Sequence, residues 1–227
     1  MKQVLTVGMA LLLGALAIRA DASPAPWVEG TNYLRLDQVQ PTHVGAGKVE
    51  VLEVFSYGCP FCSSFQPVME RLRRSLPASA QIVLLPASFS AAEDMPMFQR
   101  AFYAAQSLGV AERAHQGIFD AVWKTGELAI ADPATHRLKS SQPAIEDAAK
   151  CYGRITGVKP EEFLRAARSF GVDTKMRTAD QQVRAMRVPS TPCLIVNGKY
   201  MVQLDTLRGA DEVIDIVNFL VRKESTR

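Results

Sequence analysis

The sequence predicts an α/β protein in which a sheet domain is interrupted by an all-helical insertion. Three observations predict it. Two apolar, β-branched runs flank an amphipathic helix between residues 49 and 85. A long block of helical periodicity follows. A strand–turn–strand and a last helix then close the chain. Elements in that order pack as one sheet with helices against it. The 227 residues, 48% hydrophobic and 22% charged, suit one compact domain carrying a sizeable insertion. They exclude disordered, collagen-like and coiled-coil chains. With 26 basic and 23 acidic residues the net charge is +3. That excess is too small for nucleic-acid binding driven by counterion release.

The N-terminus reads as a secretory signal. Lys2 precedes an apolar stretch from Val4 to Ile18, and Ala20-Asp21-Ala22 has the small-x-small spacing of a cleavage site. The rival reading is an uncleaved anchor, but the apolar run is shorter than the ~20 residues that span a bilayer. Cleavage after about Ala22 makes residues 1–22 a signal peptide. The mature chain then carries 24 basic and 22 acidic residues. Ser23 to Pro26 reads as a flexible leader.

The elements follow in order. Val49-Glu50-Val51-Leu52-Glu53-Val54-Phe55-Ser56 reads as a strand. Tyr57-Gly58 turns the chain. Cys59-Pro60-Phe61-Cys62 opens a helix, with Pro60 in the first turn, where no N–H is needed. Phe65, Val68, Met69, Leu72 and Leu76 give that helix its apolar face, and Pro67 should kink it. Gln81–Leu85 is a second strand. Phe98, Ala101, Phe102, Ala105 and Leu108 line one helix, with Gly109 as its stop; Ala114, Ile118, Phe119 and Val122 line another. Pro143–Tyr152 is a third. Glu161 and Glu162 suit the positive end of a fourth, closed by Gly171. Asp173 caps a fifth, with Met176, Ala179, Val183 and Met186 on its face. Cys193–Val196 is a strand, Asn197-Gly198 a hairpin turn, and Lys199–Gln203 its partner. A final helix after Gly209 carries Val213, Ile216, Val217 and Leu220. His43, His115 and His136 sit near no motif and read as surface residues. Trp27 and Trp123 read as core or edge residues.

The chemistry concentrates at Cys59 and Cys62. At a strand-to-helix junction the first cysteine meets free helix N–H groups and the dipole, which favour a thiolate. The second, about a turn on, is close enough to bridge it. The pair can exchange two electrons. The plainer alternatives are a static disulfide or half of a metal site. Zinc would want a second close pair, and Cys151 and Cys193 are far apart with no nearby histidine, so no metal is expected. Val188-Pro189-Ser190-Thr191-Pro192 precedes a strand, where a proline can hold a cis bond.

Together these segments resemble the thioredoxin superfamily and, within it, the DsbA family of periplasmic thiol:disulfide oxidoreductases. The carriers are Val51–Ser56 before Cys59-Pro60-Phe61-Cys62, Thr191-Pro192 before Leu194–Val196, Val196-Asn197-Gly198-Lys199-Tyr200, and Pro67 five residues after Cys62. The resemblance implies a thioredoxin fold interrupted by an inserted all-helical domain: residues 23–91 and 171–227 form the thioredoxin part and 92–170 the insertion. It implies a disulfide oxidase in which Cys59 is the exposed nucleophile and Cys62 its buried resolving partner. Thr191 and Pro192, the latter cis, would lie against the disulfide and pair with an extended substrate segment. Partners would be reduced or unfolded exported proteins and a DsbB-like, quinone-linked membrane protein that reoxidises the pair. No cofactor is implied, and the protein is expected to be a monomer.

Two departures from the family pattern matter. Phe61 replaces the histidine of the family's best-known version. Glu53 matches a buried acidic position, but the accompanying lysine falls at Leu84. Glu53 reads as a proton acceptor for Cys62 or as an exposed carboxylate at a strand edge. Two further functions compete. One is a disulfide isomerase or reductase of the same fold, although only ~25 mature residues precede the first core strand, too few for those relatives' N-terminal dimerisation module. The other is a thiol-based metallochaperone, which would want Met or His beside the cysteines. Finally, an exported chain with four cysteines leaves Cys151 and Cys193 over, and a structural disulfide between them is expected; the alternative is two buried thiols.

Overall fold

The computed structural model describes residues 27–91, 94–132, 134–135 and 137–225. The signal peptide, the leader to Pro26 and His136 lie outside the described residues. The elements are β1 (Tyr33–Arg35), β2 (Val49–Phe55), α1 (Pro60–Ser75), β3 (Ala80–Pro86), α2 (Met95–Ser107), α3 (Ala111–Trp123), α4 (Ile145–Thr156), α5 (Pro160–Ala167), α6 (Phe170–Ala185), β4 (Cys193–Val196), β5 (Tyr200–Val202) and α7 (Ala210–Ser225).

Five strands form one mixed sheet in the order β1-β5-β4-β2-β3. β2 and β3 are parallel and joined by α1, since parallel neighbours need a crossover. β4 and β5 form an antiparallel hairpin beside β2. All seven residues of β2 are buried, which is why its sequence is a continuous apolar run rather than an alternating one. Successive side chains point to opposite faces, and two cores result. Leu52, Val54, Cys193 and Ile195 join the helices α2 to α6 in one. Val49, Val51, Leu194 and Val196 pack with α7 and with Met69 and Leu72 of α1 in the other. The helical block and the sheet thus share a continuous interior.

Several elements differ from the sequence expectation. Gly171 does not end α5; it lies in the first turn of α6. The cap is Ser169, whose hydroxyl accepts from the Val172 amide at 3.3 Å, not Asp173. β1 pairs with β5 and was not foreseen. Pro67 lies inside α1, which continues through it. His115 is buried in the core, not on the surface, and its position matters below. Trp27 is partly buried against the second core, and Trp123 against the first.

Candidate active site

The site lies where β2 ends and α1 begins. The Cys59 amide donates to the Ser56 carbonyl at 3.1 Å and the Gly58 amide to the Ser56 hydroxyl at 3.1 Å, closing a tight turn. Cys59 is the N-cap of α1 and Pro60 its first residue. Cys59 is 5% exposed and Cys62 fully buried. Cys59 is therefore less open than expected, while Phe61 between them is 73% exposed.

Thr191-Pro192 is cis. It meets the pair directly: the Cys59 thiol donates to the Thr191 carbonyl at 3.3 Å. The two cysteines are driven apart in acidity. The Cys59 pKa is lowered to about 6, chiefly because the Cys62 thiol hydrogen-bonds its sulfur; burial opposes this, and the Thr191 side chain and the Cys62 and Phe61 amides add to it. Those amides are the free N–H groups of the helix start. Cys62 goes far the other way, first through burial, then because its own hydrogen goes to Cys59. One thiolate is stabilised at the expense of the other.

Glu53 is buried in β2, between β4 and β3, so it is not an edge carboxylate. Burial pushes its pKa up to about 8; a hydrogen bond from Gln66 opposes this. Gln66 Nε2 reaches Glu53 Oε1 at 3.4 Å and the Cys62 carbonyl at 3.3 Å. The residue beside Glu53 on β3 is Leu84, so that place in the sheet holds no lysine.

Cys151 and Cys193 are both thiols, as are Cys59 and Cys62. The expected Cys151–Cys193 bridge is not made. Cys151 lies in α4 with its sulfur 3.8 Å from Arg154 Nη2, an arginine paired to Glu127. Cys193 opens β4 opposite Val54. Burial raises their pKa values to about 11 and about 12, which keeps both thiols inert near neutrality. Among the described residues no cluster of His, Cys, Asp and Glu could hold a metal ion.

Beside the pair runs a groove of about 950 Å³, with Phe61, Phe65, Val68 and Pro192 among its apolar walls. The sequence did not reveal it, because its walls come from α1, β5 and the start of α7. Sequence reasoning also missed Gln66. Its position one helical turn after Cys62 was the available signal.

A dithiol with one acidic and one suppressed thiol, at a helix start and facing a cis-proline, defines a thioredoxin-fold thiol:disulfide oxidoreductase. Residues 50–220 match the family model of the DSBA-like thioredoxin domain, and the chain belongs to that family. It is 29% identical over 218 residues to the thiol:disulfide interchange protein DsbA of Pseudomonas aeruginosa, covering 96% of this chain and 93% of that one. It is 30% identical to the DsbA of Azotobacter vinelandii, over 93% and 92% of the two chains. The crystal structure of the oxidoreductase DsbA from Xylella fastidiosa superposes with a TM-score of 0.76 at 28% identity, covering 90% of this chain and all of that one. No helix among the described residues is long and apolar enough to cross a membrane.

Proposed function

We propose that this protein is a periplasmic dithiol oxidase, acting as a monomer, that donates a Cys59–Cys62 disulfide to reduced exported proteins. The opposite acidities of the two cysteines carry this reading. A disulfide whose reduction releases a stabilised thiolate is a good electron acceptor. The signal-like N-terminus and the DsbA relatives support an exported location.

The chemistry runs through a mixed disulfide. A substrate thiolate attacks Cys59 Sγ, the Cys59–Cys62 bond breaks, and Cys62 leaves as a thiolate. Cys62 cannot remain ionised, and Glu53, protonated near neutrality, supplies the proton. A second substrate thiolate then attacks the substrate sulfur and Cys59 departs as the stable thiolate. The substrate gains a disulfide and the enzyme becomes a dithiol. Thr191 and Pro192 hold the substrate backbone beside the sulfur, and the apolar groove takes the side chains. A DsbB-like membrane protein removes the two electrons.

Equilibration with glutathione buffers tests the direction. An oxidase should have a potential well above the roughly −270 mV of thioredoxin; a value near thioredoxin's would instead support a reductase. Cys59→Ser should abolish oxidation of reduced peptides, and mild-acid alkylation of the reduced protein should label Cys59 first.

A further inference from the structure

The turn before Cys59 is gripped from outside the sheet. Tyr57 occupies its second position. The Tyr57 carbonyl accepts a hydrogen bond from Trp123 Nε1 at 2.8 Å, and the Tyr57 hydroxyl is bonded to His115 Nδ1 at 2.9 Å. Both partners lie on α3, two helical turns and about 12 Å apart along its axis. One helix of the insertion therefore holds this tyrosine at its main-chain end and at its phenol tip.

His115 is an expensive way to fill that space. Its ring sits edge-on against Phe55 at 4.9 Å and Phe119 at 5.2 Å, and is tilted against Tyr57 at 5.3 Å. Among the described residues its Nε2 has no hydrogen-bond partner. Burial drives its pKa down to about 3, so the imidazole is neutral. An unpaired ring nitrogen in an aromatic cage costs about 1–3 kcal/mol, which a phenyl ring would not incur. Packing alone does not account for an imidazole here; the bond to Tyr57 does.

What that bond controls lies on the same turn. Ser56 donates its amide toward Cys62, easing that sulfur's ionisation, and the Cys59 amide closes the turn on the Ser56 carbonyl. Tyr57 joins them. Its position therefore sets how Cys59 sits against the helix amides and Thr191.

We propose that His115 and Trp123 are positioning residues for the redox pair: from the helical insertion they fix Tyr57, and through it the Ser56–Cys59 turn that orients both sulfurs. The proposal rests on the thiol–disulfide activity but not on its direction. Releasing either grip should let the turn relax and weaken the donors gathered around the Cys59 thiolate.

The test compares His115→Phe, Trp123→Phe and Tyr57→Phe in the intact chain. Thiolate absorbance gives the Cys59 pKa, glutathione equilibration the redox constant, and thermal melts the stability. Cys151 and Cys193 ionise too high to interfere. In His115→Phe and Trp123→Phe the Cys59 pKa should rise by about half to one unit, a 3- to 10-fold loss of thiolate preference. The equilibrium should move 3- to 10-fold toward the disulfide. His115→Phe should melt close to the parent, because shedding the unpaired Nε2 offsets leaving the buried Tyr57 hydroxyl without its His115 partner. Tyr57→Phe should match His115→Phe, and the double variant should add nothing further. If His115→Phe does not fold, Tyr57→Phe decides, because it removes the same bond, together with the hydroxyl's interaction with Tyr152, and leaves every aromatic ring in place. Redox constants within twofold of the parent, whatever the melts show, would overturn the proposal, as would a shift toward a more acidic Cys59. The parent's own potential separately tests the oxidase reading, so the two can fail independently.

Discussion

Phe61 shows how one side chain tunes the pair. It is the exposed residue between the cysteines and a wall of the groove. A phenyl ring adds apolar contact for substrate but lacks the charge or strong donor that would further stabilise the Cys59 thiolate. Phe61→His should lower the Cys59 pKa and make the protein more oxidising, by about 30 mV for each tenfold change in thiolate preference. An unchanged potential in glutathione buffers would contradict this. Glu53 makes a separate prediction. Its folded pKa of about 8 exceeds its ordinary value, so its contribution to stability is complete below about pH 4.5. That contribution is lost as pH rises through 8, because the unfolded chain ionises first. Glu53→Gln should therefore gain stability over the parent across that window, with an upper bound of about 5 kcal/mol, while forming the mixed disulfide more slowly, because Cys62 then leaves without a nearby proton donor. Urea denaturation at pH 4.5 and pH 9 measures the gain; equal differences at both would refute it. The identity of Glu53 was readable in the sequence. Its burial was not, because that depends on which strands flank β2.

At the scale of elements, local chemistry decided what could be read. The strand–helix–strand unit from Val49 to Pro86 and the final hairpin carry strong periodic and turn signals, and both stand as expected. The α5–α6 junction did not. Gly171 looked like a stop and Asp173 like a cap, yet both lie in the first turn of α6, where Ser169 already satisfies the Val172 amide. β1 has only three residues and exists by pairing with β5, a tertiary fact. The Asn197-Gly198 turn is both legible and exacting. Both residues have positive φ, as a tight hairpin requires. A Cβ on Gly198 would lie 2.2 Å from the Gln40 carbonyl oxygen. Gly198→Ala should thus cost at least about 2–4 kcal/mol, combining left-handed strain with a main-chain clash. Thermal melts of the variant check this, and a loss under 1 kcal/mol would show that the loop around Gln40 moves freely aside.

For the whole molecule, the redox state and the fold are one equilibrium. The Cys59 thiolate is stabilised only when folded and reduced. Its folded pKa of about 6 lies below its ordinary value of 9.0. Its contribution is therefore full above about pH 9 and vanishes as pH falls through 6. The reduced protein should melt above the oxidised one, by a gap that widens from pH 6 to pH 9. With Cys151 and Cys193 replaced by alanine, melts with and without reductant measure this; a higher melting temperature for the oxidised form would rule it out. The cysteine count suggested a second bridge, but counting cannot place two residues in space. The helical block and one face of the sheet share an interior, so what holds the redox turn comes partly from residues far away in sequence. That is why His115, lacking any motif around it, looked like a surface residue.

The charge at the end of the groove also changes with each turnover. Loaded with its disulfide, the site is neutral where it meets the apolar walls, and an extended apolar segment can lie across it without desolvating an ion. Once the electrons arrive, Cys59 carries a negative charge beside Thr191, at the same edge of the groove. A segment lying there would then have to cover an anion with hydrocarbon. If the protein works as the proposed oxidase, affinity should thus fall as soon as the disulfide has been handed over, and the spent enzyme would let go of its product without any moving part.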